Sequence, residues 1–363
     1  MSIKNEYFPE TVTHPGLTLN EKLKEIGMSK KEFALRTEKP EQTIIKIING
    51  NSAITPDMSI QFETVLKIPA NFWLKKQYRY DEIVARNKRQ SFNEEAEEWA
   101  RCFPYATMAN FGWVPLTRKI EEKVDALFQF FGLSGKTAWD DYYYEQKLKV
   151  CFRVSLKQTA ESHAVSAWLR QGEIVAADLN VPTYNSKIFK RKLRRIKILM
   201  VNHPERFFIQ LQELCRQAGV KVVYTPCLPK APISGSTRWI GDAPLIQLSD
   251  RYKRNDIFWF TFFHEAGHIL LHGKKYVSIE NIDFHDVDLE KEEEADAFAV
   301  NWTFTEEQEQ EVLAARPITE NDVVSFAKKF GTHPAVIIGR FHHKEIIHHS
   351  EGEKFIVPIH LSN

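Results

Sequence analysis

Cysteine is scarce in this chain: Cys102, Cys151, Cys215 and Cys227 are the four in 363 residues, and no two stand at CxxC spacing. That excludes a disulfide framework and fits reduced thiols, so a cytoplasmic location is expected. No apolar run reaches the ~20 residues needed to cross a bilayer, and the opening Met-Ser-Ile-Lys-Asn-Glu has no apolar signal core, so no membrane partner is expected. Net charge is nearly absent, at +1, which excludes wholesale coating of nucleic acid but leaves room for a local basic patch. Internal repeats and low-complexity linkers are missing too. What remains, 43% hydrophobic and 27% charged residues over 363 positions, is an ordinary globular composition with length for two or three domains.

Against this background one stretch carries chemistry. His264-Glu265-Ala266-Gly267-His268 lies inside the apolar run Ile257 to Leu271. Helix positions four apart share a face, with Cβ atoms roughly 5–6 Å apart, so His264 and His268 can bring two imidazole nitrogens to one metal ion. Glu265, one step round the helix, can reach a metal-bound water and act as general base. Catalytic zinc usually takes three protein ligands, so a third is expected from elsewhere.

The run EKEEEADAFA at residues 290–299 is the expected supplier. Glu292 and Asp296 stand four apart, so Glu292 is expected on the metal and Asp296 on the second nitrogen of a ligand imidazole. Ala295, Phe298 and Ala299 bury this helix beside the first, while Glu293 and Glu294 read as solvated. His272 follows His268 by four, but one straight helix cannot wrap three successive turns around a tetrahedral ion. It is expected at the helix end or behind a ligand. Zn2+ is the expected cofactor.

In the amino-terminal part, Leu19, Leu23 and Ile26 recur at helical spacing after His14-Pro15-Gly16. Ser29-Lys30-Lys31-Glu32 reads as a capping box opening a second helix. Pro40 suits the first turn of a third, which ends at Asn49-Gly50, and Thr55-Pro56 opens a fourth. Two short helices joined by a tight turn and framed by others describe a helix-turn-helix unit. Through HPG, PEQTIIKIINGNSAITPD and IPANFW, residues 14 to 80 resemble the lambda-repressor/Cro-type domain of HigA-like antitoxin regulators. The resemblance implies that the third helix enters the major groove with Gln42, Thr43 and Lys46 near base edges. Lys30, Lys31, Lys39 and Asn51 would then approach phosphates. Glu38 stands where such turns often carry glycine, and Glu41 adds a second negative charge. Operator DNA and a homodimer are the implied partners.

Residues 86 to 185 read as a helical middle region of unassigned role, rich in Trp99, Phe111, Trp113, Trp139, Tyr142, Tyr143 and Tyr144, which at such spacing are expected to be core. Helices are expected over 92–103, 118–131 and 137–147, around 165–170, and over the Lys/Arg-dense 187–201. Beyond them, strands are expected at 220–224, 235–240 and 245–248, with turn chemistry at Gly241-Asp242. The last of these is expected to be exposed and able to take an extended peptide as an added strand. Arg238, Tyr276 and His285 are candidate oxyanion donors, Cys227 a buried thiol, and the late histidines from His342 to His349 a solvated tail.

From SGSTRWIG through LIQLS, FWFTFFHEAGHILLHG and EEEADAFA, residues 186 to 340 are similar to the ImmA/IrrE metallopeptidase family. The resemblance implies a zinc-dependent endopeptidase in which His264, His268 and Glu292 bind zinc and Glu265 activates water, acting on a repressor-like protein. The expectation is thus a mostly helical α+β chain: a helix-turn-helix domain at 1–85, a helical middle at 86–185 and a zincin-like domain with a small sheet at 186–363. It reads as a DNA-binding regulator with endopeptidase activity on a repressor or toxin-antitoxin-type partner. The alternative is a non-enzymatic antitoxin or repressor whose zincin domain senses or binds.

Overall fold

Small polar residues just ahead of apolar-periodic segments set several helix starts in the computed structural model, which describes residues 13–90, 93–143, 161–275, 278–279 and 289–361. These divide into two units, between Glu94 and Glu95.

The first unit holds α1 (Pro15–Glu25), α2 (Lys30–Arg36), α3 (Glu41–Ile48), α4 (Pro56–Leu66) and α5 (Ala70–Gln90). His14 caps α1, its Nδ1 accepting from the Gly16 amide at 3.0 Å. Gly16 is required by contact: a Cβ there would lie 1.8 Å from the Ile47 carbonyl oxygen of α3. Ser29 caps α2 through the Glu32 amide, but the Glu32 carboxylate pairs with Arg36 instead of completing the box. Leu19, Leu23, Phe33, Ile44, Ile47, Phe62, Leu66 and Trp73 form the core, each worth about 1.5–3 kcal/mol when fully buried. The expected boundary at residue 85 falls inside α5.

Glu38 sits in the turn between α2 and α3 with φ at 53°. A left-handed L-residue is strained by roughly 1–2 kcal/mol, partly offset in a Gly replacement by chain entropy. Glu38→Gly is therefore expected to stabilise the first unit by about 1 kcal/mol, read as a higher urea midpoint; a lower midpoint would count against this strain.

The second unit begins with α6 (Asn93–Arg101), α7 (Tyr105–Asn110), α8 (Ile120–Phe131), α9 (Lys136–Trp139) and α10 (Glu161–Ala177). Trp99, Phe103, Phe128, Phe131, Trp139, Tyr143 and Trp168 make a buried aromatic cluster, with Trp99 and Phe128 stacked at 5.1 Å. His163 stacks on Trp139 at 4.6 Å, and burial pushes its pKa down to about 4, so it packs as a neutral ring. Of the aromatics expected to be core, Trp99, Trp139 and Tyr143 are buried and Trp113 half-buried, while Phe111 and Tyr142 are exposed; Tyr144 and Cys151 lie outside the described residues. Of the helix expected over 137–147, the described part holds α9 and a π-helical continuation over residues 140–143. Leu228, Ala231 and Ile233 join the same cluster, so the boundary expected at residue 185 falls inside this unit.

The remainder comprises α11 (Ser186–Asn202), α12 (Phe207–Arg216), β1 (Lys221–Tyr224), β2 (Gly235–Ile240), β3 (Ala243–Leu248), α13 (Asn255–Leu271), β4 (Ser278–Ile279), α14 (Leu289–Thr303), α15 (Glu306–Ala314), α16 (Glu320–Phe330) and α17 (Pro334–His343). The strand order is β1-β3-β2-β4, with β1 parallel to β3 and β2 antiparallel to both of its neighbours. A two-residue turn at Gly241-Asp242, with Gly241 at φ 61°, joins β2 to β3.

This order corrects one expectation. Leu245 to Leu248 is hydrogen-bonded on both sides, to Lys221–Tyr224 and to Gly235–Arg238, so it offers no free edge to a peptide. The buried α13 packs on one sheet face and α10 on the other. Trp168 Nε1 donates to the Thr225 carbonyl at 3.1 Å, and Gln247 Nε2 to the Trp168 carbonyl at 2.7 Å. The fold is α+β and mostly helical.

Candidate metal centre

Helix α13 is buried on almost every side, so its histidines point into protein, and α14 packs directly against it. Gly267 permits that contact, since a Cβ there would lie 3.2 Å from the Phe298 ring and Cβ. The approach brings His264 Nε2 to 2.9 Å from His268 Nε2. Glu292 reaches across from α14, 3.1 Å from His264 Nε2 and 3.5 Å from His268 Nε2. One ligand atom from each of the three lies within 4.8 Å of the others, and no other such group of His, Cys, Asp or Glu occurs among the described residues.

The other ring nitrogens fix the tautomers. His264 Nδ1 is 2.8 Å from Asp296 Oδ1; a carboxylate only accepts, so Nδ1 carries a proton, and in the neutral ring that leaves the lone pair on Nε2. His272 Nε2 is 2.8 Å from Glu294 Oε2 and therefore donates, which leaves His272 Nδ1 to accept from His268 Nδ1 at 2.9 Å. His268 Nε2 is then a lone-pair donor as well. Burial lowers the His268 pKa, with Glu292 opposing and His264 and His272 adding to the shift. In their neutral form the two imidazoles thus aim lone pairs at one point beside a carboxylate, an arrangement suited to a cation.

Glu294 therefore does more than face solvent. Although 54% exposed, it orients His268 through His272. Partners of this kind typically contribute 10–100-fold to metal affinity, so Glu294→Gln is expected to weaken the site's affinity for an added divalent metal roughly tenfold in competition with a chromophoric chelator. An unchanged affinity would discard the relay.

Glu265 is wholly buried between α13 and β2. Its carbonyl accepts from Thr237 Oγ1 at 3.0 Å. A Cβ on Gly235 would lie 2.8 Å from Glu265 Oε1 and 2.6 Å from the Thr261 methyl, so glycine makes the space for this carboxylate. The sequence reading missed Gly235, Thr237 and Glu294; only Gly235 carried a signal, as a glycine inside a strand pattern.

Several other candidates lie elsewhere. Arg238 is buried on the opposite sheet face from Thr237, donating to the Leu169 carbonyl at 2.6 Å and to Gln247 Oε1 at 2.7 Å. Strand alternation turns it away from Glu265, so it does not supply the oxyanion donor. Tyr276 and His285 lie outside the described residues. Cys227 Sγ faces the Leu228 and Ala231 carbonyls, and burial raises its pKa. His342 is no solvated tail: it is buried, with Nε2 at 2.9 Å from the Glu351 carbonyl.

In the first unit, Gln42 and Lys46 are exposed on α3, Thr43 is half-buried, and Lys30, Lys31 and Asn51 are exposed. Lys39, expected at a phosphate, instead pairs with Asp57 at 2.7 Å and is only 20% exposed.

Residues 19–73 match the helix-turn-helix family model, and residues 215–342 match that of the IrrE N-terminal-like domain, a metallopeptidase family. By its first unit the chain belongs to the helix-turn-helix regulators, and its second carries an IrrE N-terminal-like domain. It is 33% identical over 63 residues to the uncharacterized HTH-type transcriptional regulator YddM of Escherichia coli, covering 17% of this chain and 67% of that protein. It is 33% identical over 69 residues to virulence-associated protein A of Dichelobacter nodosus, covering 18% and 68%. Among solved structures, a HigA-family addiction module antidote protein from Coxiella burnetii is 30% identical, with 23% of this chain and 91% of that one covered and a TM-score of 0.22. The Pseudomonas aeruginosa antitoxin HigA with the higBA promoter is 26% identical, with 23% and 94% covered and a TM-score of 0.22.

Proposed function

We propose that this chain is a DNA-binding regulator whose second unit is a zinc-dependent endopeptidase acting on a repressor-like or toxin-like protein. The observation that carries the reading is the convergence of His264 Nε2, His268 Nε2 and a Glu292 carboxylate oxygen within 4.8 Å. Two neutral imidazoles and one carboxylate are a known ligand set of catalytic zinc, which keeps a fourth position open. Zn2+ held there would polarise a peptide carbonyl and acidify a water.

Asp296 and the His272–Glu294 pair hold the imidazoles in their binding tautomers. Glu265 takes the proton from the attacking water and returns it to the leaving amine. Its burial keeps competing solvent away.

For DNA, Gln42 and Lys46 on α3 are the residues proposed to read base edges, with Thr43 beside them, while Lys30, Lys31 and Asn51 approach phosphates. A homodimer on a two-fold operator follows from the symmetry of such sites. Among the described residues no helix is long and apolar enough to cross a membrane, and we place the protein in the cytoplasm, where operator DNA would be met.

The test is to incubate the zinc-loaded chain with candidate repressor and toxin-like proteins and read new termini by mass spectrometry. Cleavage that a chelator stops supports the proposal. Intact partners together with a zinc-free chain would reject it.

A further inference from the structure

On several helices a cation pairs with an acid of the same helix: Lys22 with Glu25, Arg36 with Glu32, Arg86 with Glu82, Arg101 with Glu97, Lys119 with Glu122, Lys136 with Asp140, Arg216 with Glu213. Helix α11 has no acid of its own to pair with. Its seventeen residues, SKIFKRKLRRIKILMVN, hold seven Lys and Arg and no Asp or Glu. Phe189, Leu193, Ile196 and Met200 are buried, which turns Lys187, Lys190, Arg191, Arg194 and Arg195 outward, all exposed. None of these five pairs with a described acid.

Their spacing sets like charges at i,i+3 and i,i+4: Lys187 with Lys190 and Arg191, Lys190 with Arg194, Arg191 with Arg194 and Arg195. Such neighbours repel and destabilise a helix, so the folded unit carries a repulsion that a polyanion would relieve. The chain as a whole holds 49 Lys and Arg against 48 Asp and Glu; without these seven the balance turns acidic. Most of the chain's Lys and Arg lie elsewhere, but the five exposed cations of α11 form a local excess with no acid on their own helix.

We infer that this face of α11 is a second nucleic-acid contact, on the peptidase-like unit itself, that binds the phosphate backbone of duplex DNA without reading sequence. Lys187 to Arg194 spans roughly 10 Å at 1.5 Å per residue. A duplex presents one negative charge per roughly 1.7 Å of its axis, so a row of this length meets several phosphates at once. The choice of duplex DNA as the polyanion rests on the helix-turn-helix reading of the first unit; the charge pattern does not.

The test uses the full chain, with Lys187, Lys190, Arg191 and Arg194 changed together to Gln, which keeps helix propensity. Binding of a labelled short duplex of arbitrary sequence is followed by fluorescence anisotropy between about 50 and 200 mM salt. Each lost phosphate contact should make the log K against log salt slope shallower by about 0.9, so a change of roughly 3 to 4 is expected. Unchanged circular dichroism shows that the helix still forms. A wild-type slope and affinity in this variant overturn the inference, as does a loss confined to single-stranded RNA or to an acidic protein. A parallel variant, Gln42→Ala with Lys46→Ala on α3, separates the two surfaces. If it alone abolishes binding, the α11 contact falls while the helix-turn-helix reading stands; if wild type binds no duplex at low salt, both fall.

Discussion

Glu265→Gln is expected to reduce peptide cleavage by roughly 10²–10⁴-fold, the usual contribution of a positioned general base, while leaving zinc bound. The separation follows from geometry. The atoms that converge belong to His264, His268 and Glu292, whereas Glu265 lies on the β2 side of α13, its carboxylate against Gly235. Gln keeps the shape and burial of the side chain and removes its capacity to take a proton. Comparing zinc content and cleavage rate of the two forms decides the matter. Equal rates would remove Glu265 from the chemistry, and loss of zinc would mean that it serves the metal instead.

Trp168→Ala carries the second large effect, an expected loss of about 3–5 kcal/mol, the usual range for truncating a buried Trp. Trp168 is fully buried in the aromatic cluster, and its indole donates to the Thr225 carbonyl at 3.1 Å. Its own carbonyl accepts from Gln247, whose side chain also accepts from Arg238. Truncation leaves a cavity and removes the donor to the Thr225 carbonyl at the seam between α10 and the sheet. Because domains are stable by only about 5–15 kcal/mol, the change should lower the urea midpoint of the second unit markedly. A midpoint within error of wild type would show that the aromatic helices are dispensable to the peptidase-like fold.

What was legible in the sequence was local. HExxH on an apolar helix, the Glu292 and Asp296 spacing, the Ser29 and Thr55 caps and the strands near 221–224 and 235–240 all follow from periods of 3.6 or 2 and from capping chemistry. What failed depended on which element lies beside which. Strand order put Leu245 to Leu248 at the centre of the sheet rather than at its edge. Alternation in β2 separates Thr237 from Arg238, but only the packing of α13 and α10 says which of them faces the metal helix. Glu294 looked solvated because its partner, His272, lies far off in sequence. The aromatic stretch read as a separate middle region because nothing in its pattern reveals that Leu228, Ala231 and Ile233 complete its core.

Metal content tests the central claim most directly: purified full-length chain analysed for zinc beside His264→Ala, His268→Ala and Glu292→Ala. The account predicts one Zn2+ per wild-type chain, retained through dialysis and lost or much weakened in each variant with the fold intact by circular dichroism. A wild-type chain that takes up no zinc, or variants that hold it as tightly as wild type, would contradict it.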